Sequence, residues 1–216
     1  MDFMKIIKSL EALLYELMVW LVFYPLTLWK AVVHPLALTD YADEELEDAD
    51  EDRYSDTLSP PIFLAISLGL VHLVEMITKV NLATEGLLAD DRNIIAFRLV
   101  AYALFPLMLS LRLLRLKGIA LDRKALRPPF YAQCFVAAPF AIALNGATVL
   151  IGLSQSLVEG LVVMAIAFTW YVWVQARWFA REAGISVLRG AWNAVRAIVF
   201  SLVVVLILSI AVDQIG

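Results

Sequence analysis

The stretch RLLRLKGIALDRKALR, residues 112–127, decides how the chain is read. It carries Arg112, Arg115, Lys117, Arg123, Lys124 and Arg127 against one acid, Asp122. Long apolar runs flank it on both sides. A short loop this rich in Lys and Arg between membrane spans stays on the cytoplasmic side, because translocating it is disfavoured. Placing this loop inside therefore orients every other segment.

Composition supports a membrane reading. The chain has 216 residues, is 62% hydrophobic and 18% charged, and has a mean hydropathy of +0.81. Soluble domains are about 45–50% apolar and about 25% charged. The single Cys134 excludes a disulfide framework or a cysteine metal centre within one chain. Net charge is −4, but it is unevenly spread: residues 40–56 hold ten acids and one base, so that tract is −9 and the remainder +5.

Working outward, the span before the basic loop runs over about 94–114, with Arg98 near its start and Pro106 as a kink. After the loop, Arg127-Pro128-Pro129 leads into a span at about 130–152, containing Pro139 and Asn145-Gly146. Ala137, Ala141 and Gly146 there would permit close helix contact, and Asn145 could hydrogen-bond across helices. Ser59-Pro60-Pro61 opens a span at about 60–80, with serine as cap and proline in the first turn. The turn 154–156 leads to a span at about 157–176, whose Trp170, Tyr171, Trp173 and Trp178 read as an interfacial aromatic belt. A last span covers about 194–212.

The bases then alternate. Six lie between spans two and three and four between spans four and five, namely Arg177, Arg181, Arg189 and Arg196. The intervening loops carry Lys79 and Arg92 in one and none in the other. This predicts a cytoplasmic N-terminus and a C-terminus on the opposite side.

Residues 1–24 have a different pattern. Asp2, Lys5, Lys8, Ser9 and Glu16 share one side of a helical wheel, and Ile6, Ile7, Leu10, Leu13, Leu14 and Leu17 the other. The uncharged run Leu17–Trp29 has 13 residues and contains Pro25, short of the roughly 20 that a span needs. An amphipathic helix lying in the interface fits this pattern. Glu11 and Glu16 argue against a cleavable signal peptide. The expected architecture is all-α: a polytopic integral membrane protein with five transmembrane helices plus an N-terminal amphipathic interfacial helix. Residues 1–38 form the interfacial segment, 39–58 an acidic cytoplasmic linker and 59–216 the five-helix domain.

Two sets of residues are candidates for function. The first is intramembrane: His72, Glu75, Lys79, Arg98, Asn145 and Glu159. Ionisable groups inside a membrane face the protein interior and partner one another. His72 and Glu75 share one helix face and could begin a proton or ion relay. The plainer expectation pairs Glu75 with Lys79, one turn on. The second set is the acidic tract, chiefly Asp43, Glu44, Glu45, Glu47, Asp48, Asp50, Glu51 and Asp52. Its mutual repulsion predicts a solvated spacer that would suit a basic partner. It lacks the spacing and central glycine of an EF-hand.

No phosphate loop, HExxH pair, GxSxG elbow or CxxCH haem site is present in the sequence. No cofactor, metal or nucleic-acid partner is expected, and the chain does not read as an enzyme.

Phe130, Tyr131 and Pro139 precede a helix with Trp170 and Trp173. A short turn, Glu182-Ala183-Gly184-Ile185-Ser186, and Arg189-Gly190-Ala191 follow. Asp56-Thr57-Leu58-Ser59-Pro60 has the Asp and Pro spacing of an Asp-Leu-Tyr-Gly-Pro motif, with different middle residues. Over roughly residues 56–212 the layout resembles the Yip family of Rab-interacting membrane proteins and its bacterial relatives. The resemblance implies five spans, a cytoplasmic N-terminus, a bacterial inner-membrane location and an adaptor or membrane-shaping role. The functional expectation is therefore a non-enzymatic scaffold, adaptor or shaping factor. Its partners would be the lipid bilayer and another membrane or basic cytoplasmic protein engaged through residues 40–56. The competing expectation is an ion channel or small-solute transporter working as a homo-oligomer.

Overall fold

Side-chain caps and left-handed glycines punctuate the chain. Asp90 accepts from the Arg92 N–H at 2.8 Å, Asp122 from Ala125 at 2.7 Å and Ser156 from Glu159 at 3.5 Å. Each satisfies an otherwise orphaned amide of a helix start. Gly118 and Gly184, with φ of 67° and 62°, close two helices in the left-handed conformation that lacks a Cβ penalty only for glycine. The computed structural model describes residues 2–46, 54, 57–80 and 90–215. Among these every regular element is a helix: α1 (Asp2–Val33), α2 (Pro35–Glu45), α3 (Pro60–Thr78), α4 (Asp91–Lys117), α5 (Arg123–Ser154), α6 (Leu157–Ala183) and α7 (Val187–Ile215).

Six of these are long and apolar enough to cross a membrane, and the protein is a polytopic helical membrane protein. The additional helix, relative to five spans and an interfacial segment, is α1. Its apolar stretch Ile7–Val33 continues through Pro25 as one helix. Proline removes one hydrogen bond and bends a helix, but it does not have to end one.

The core is organised on α5, which packs against α1, α2, α3, α4 and α6, while α7 packs against α4 and α6. Ala132, Ala137, Ala138 and Ala141 are completely buried, so neighbouring helices approach α5 closely. Helix α6 turns Tyr171, Val174, Gln175, Trp178 and Phe179 to the core, a spacing of one helical stripe. The Phe140 and Tyr171 rings stack at 4.1 Å. Gln175 Nε2 donates to Gln133 Oε1 at 2.6 Å, joining α6 to α5 where both side chains are fully buried. The opposite faces of α3, α6 and α7 expose Ile77, Val158, Ile166, Leu206 and Ile207. An exposed surface of this kind faces lipid.

Several local expectations are corrected. Tyr171 and Trp178 belong to the core, not to an aromatic belt, because they share the stripe with Val174; only Trp173 of the cluster is well exposed. Pro128 and Pro129 lie inside α5 and do not end the preceding loop, since the cap at Asp122 starts the helix earlier. Gly146 makes no close helix contact, as nothing lies within 4 Å of where its Cβ would stand. The start of the acidic tract is helical and packed: Leu38, Thr39 and Ala42 of α2 are buried. The stripe of apolar and small residues in α2 outweighs the repulsion among its few acids.

Helix α1 crosses the outside of this bundle. Tyr24 Oη donates to Ser67 Oγ of α3 at 3.1 Å. Only eight residues later, Val32 lines a groove with Pro139 and Ala143 of α5 and with Ile166 and Trp170 of α6. The helix thus passes over α5 from one neighbour to the other. Trp20 and Phe23 already pack against the core, whereas Leu10 and Leu14 before them are 54% and 58% exposed.

Candidate functional site

Helix α3 buries Leu68, Val71, His72 and Glu75 along one stripe. Helix α4 answers with Arg98, Ala101 and Phe105 buried, and with Tyr102 partly buried on the same face. The two stripes bring one acid and one base together. Arg98 Nη1 donates to Glu75 Oε2 at 2.5 Å and Nη2 to Oε1 at 3.0 Å. Glu75 is 4% and Arg98 8% exposed. A planar guanidinium matched to both carboxylate oxygens is the strongest protein ion-pair geometry. His72 Nδ1 lies 3.8 Å from Glu75 Oε2.

This corrects the expected Glu75–Lys79 pair. Lys79 caps α3 with φ of 56°, so its backbone leaves the helix before an i,i+4 contact can form, and its side chain is exposed. Glu159 also stays apart, exposed in the first turn of α6. Asn145 joins from α5: its Nδ2 donates to Tyr102 Oη and to the Ala141 carbonyl, each at 2.7 Å. Tyr102 lies one turn beyond Arg98. Four of the six intramembrane candidates thus line one polar string through three helices in two bonded parts, His72, Glu75 and Arg98 in one and Tyr102 with Asn145 in the other, a turn apart along α4. The sequence signal for Tyr102 was its i+4 spacing from Arg98, which places both on one face.

The arrangement fixes helices. Both oxygens of the carboxylate are occupied, and the pair carries no net charge into the apolar layer. Breaking it would leave a buried charge unmatched.

A second polar cluster forms where α2 meets the ends of α4 and α6. Arg181 reaches the Leu36 carbonyl at 3.2 Å and also pairs with Asp40, while Lys117 Nζ bonds Glu182 Oε2 at 2.7 Å. The two basic ends of the bundle therefore lie together, and the start of the acidic tract neutralises part of them. Glu45 accepts the Tyr54 N–H, and Glu44 is exposed. Glu47, Asp48, Asp50, Glu51 and Asp52 lie outside the described residues.

Asp43 sits in this cluster with Oδ1 buried and without a hydrogen-bond partner among the described residues. Burial pushes its carboxyl up to about 6 from the ordinary 3.8, helped by Glu182 and Asp40 and opposed by Lys117 and Arg181. A carboxyl with a raised folded-state pKa is favoured protonated, so its stabilising effect is full below about pH 4 and is lost as pH rises through about 6. Asp43→Asn should flatten this part of the pH dependence and stabilise docked α2 at pH 7 by about 1–2 kcal/mol after screening. Thermal unfolding in detergent between pH 4.5 and 7.5 checks it, and an unchanged slope in the variant would refute it.

Comparison with protein-family models, curated proteins and solved structures gives no match.

Proposed function

We propose that the chain is a non-enzymatic integral membrane protein that acts as a scaffold, adaptor or shaping factor. In this reading its basic ends and α2 face the cytoplasm of a bacterial cell. The observation that carries it is α1. Only the part of this long helix from about Trp20 onward rests on the bundle, and the preceding turns present Leu10, Leu13, Leu14 and Leu17, which the bundle does not cover. Such a segment gains by entering lipid, and in this reading its charged face (Lys8, Glu11 and Glu16) keeps it along one leaflet, which it spreads, although its length would also allow a crossing. The Yip-like layout implies the same kind of role. The α5-centred packing supports it too, because a buried helix fills the place where a one-chain pore would run.

The test is reconstitution into vesicles. The full chain should narrow the vesicle diameter in electron micrographs as the protein-to-lipid ratio rises. A chain lacking residues 2–18, all before the first side chain that packs on the core, should fold with the same melting temperature and lose this effect. If vesicles respond equally to both proteins, α1 does not shape the membrane.

A further inference from the structure

We propose that a cleft between α4 and α7 holds the phosphate-bearing headgroup of an anionic phospholipid, with an acyl chain along its apolar wall. The cleft has a volume of about 410 Å³ and is lined by Arg112, Arg115 and Arg196 together with Met108, Leu111 and Phe200. Three guanidinium groups converge there. The charged neighbours of Arg112 are Arg196 and Arg115, and none of the three has a carboxylate partner among the described residues.

Four other basic residues at this end are engaged, while Arg123, Lys124 and Arg189 are exposed and lie outside the cleft. Lys117 and Arg181 have acids, Arg127 lies 5.2 Å over the Tyr131 ring, and Arg177 lies 4.9 Å over Trp173. The cleft is thus where three guanidinium groups line one concave pocket with no carboxylate among its lining residues. Like charges so placed repel one another, and a bound anion with several acceptor oxygens converts that repulsion into charge-assisted hydrogen bonds.

The arginines are also held. Arg112 Nε donates to Asn193 Oδ1 at 2.7 Å, and Asn193 Nδ2 donates to the Arg189 carbonyl at 2.8 Å. This fixes the guanidinium plane of Arg112 and leaves its terminal nitrogens for a ligand. The apolar part of the wall selects lipid over a free anion. Met108 and Phe200 lie one turn deeper than Arg112 and Arg196, and Phe200 is continuous with the exposed Val199 and Val203 of α7. A headgroup at the arginines places its tails on that lipid-facing surface. Basic pockets between helices near the cytoplasmic surface favour anionic headgroups in this way.

The experiment is native mass spectrometry of the full chain in detergent, with phosphatidylglycerol, phosphatidylcholine or inorganic phosphate added. Phosphatidylglycerol should be retained in preference to phosphatidylcholine. The double variant Arg115→Gln/Arg196→Gln changes two exposed side chains and should melt like the wild type. It should retain phosphatidylglycerol about twenty-five-fold less well, at about fivefold per lost charge. Arg115→Lys/Arg196→Lys should recover part of the loss. Arg123→Gln/Lys124→Gln removes two charges at the start of α5 and should leave retention unchanged. An equal loss in that control would show diffuse surface charge and overturn the site. Displacement of the lipid by an equal concentration of inorganic phosphate would make the ligand a free anion and overturn the lipid assignment.

Discussion

Glu75→Ala is expected to destabilise the bundle by about 3–5 kcal/mol, because it leaves the Arg98 guanidinium buried without its counter-ion. In a chain of this length that corresponds to a fall in melting temperature on the order of 10 °C. Arg98→Ala should cost a similar amount by stranding the carboxylate. Replacing both, as Glu75→Met/Arg98→Met, should cost less than either single change, since two apolar side chains of similar length restore packing without an unmatched charge. Thermal unfolding of the four proteins in one detergent measures the cycle. A double variant as unstable as the sum of the singles would mean that the pair is not the clamp described here. The double variant also separates scaffold from channel. If wild-type vesicles conduct protons or ions and vesicles with a folded double variant do not, the polar string is a path as well as a brace.

The spans were legible because hydropathy marks the layer that must be apolar. The stretches 60–80 and 157–176 start within a residue of where α3 and α6 start. Helix ends were less legible, because helices outlast the hydrocarbon: α5 begins at Arg123 because Asp122 can cap it, and the charge of that turn reads as loop. In α1 the uncharged run Leu17–Trp29 reads as too short for a span, but the helix continues through Pro25 and its apolar stretch reaches from Ile7 to Val33. The polar residues of the site were legible as residues, since charge is rare in such a chain. Their pairing was not. Glu75 has a local candidate in Lys79 and a distant one in Arg98, and sequence spacing favours the local one. The left-handed cap at Lys79 removes that choice, and the packing of α3 beside α4 supplies the other. The cleft of arginines was hidden for the same reason. Arg112 and Arg196 lie in different basic segments of the sequence, and only the antiparallel return of α7 along α4 joins them.

That return depends on one residue without a side chain. Gly190 lies in the first turn of α7, where a Cβ would stand 2.2 Å from the Ala176 carbonyl oxygen and 3.3 Å from the Ala180 nitrogen. Both are backbone atoms of α6 and cannot rotate away, so the helices must separate. Gly190→Val should therefore cost about 3 kcal/mol, at the upper end of overpacking effects. Gly69→Ala and Gly146→Ala are the internal controls: nothing lies within 4 Å of either position, and alanine favours a helix over glycine by up to about 1 kcal/mol. Those two variants should melt at or slightly above the wild type. The displacement in Gly190→Val also has a direction. Asn193 and Arg196 follow within two turns, so moving the start of α7 off α6 should loosen the Arg112–Asn193 bond and weaken retention of anionic lipid along with stability. A Gly190→Val protein that melts with the Gly146→Ala control would show that α6 and α7 do not meet backbone to backbone, and the cleft would lose its geometric basis. A protein that melts early yet keeps its lipid preference would separate the two, leaving the close contact in place and freeing the arginines from dependence on it.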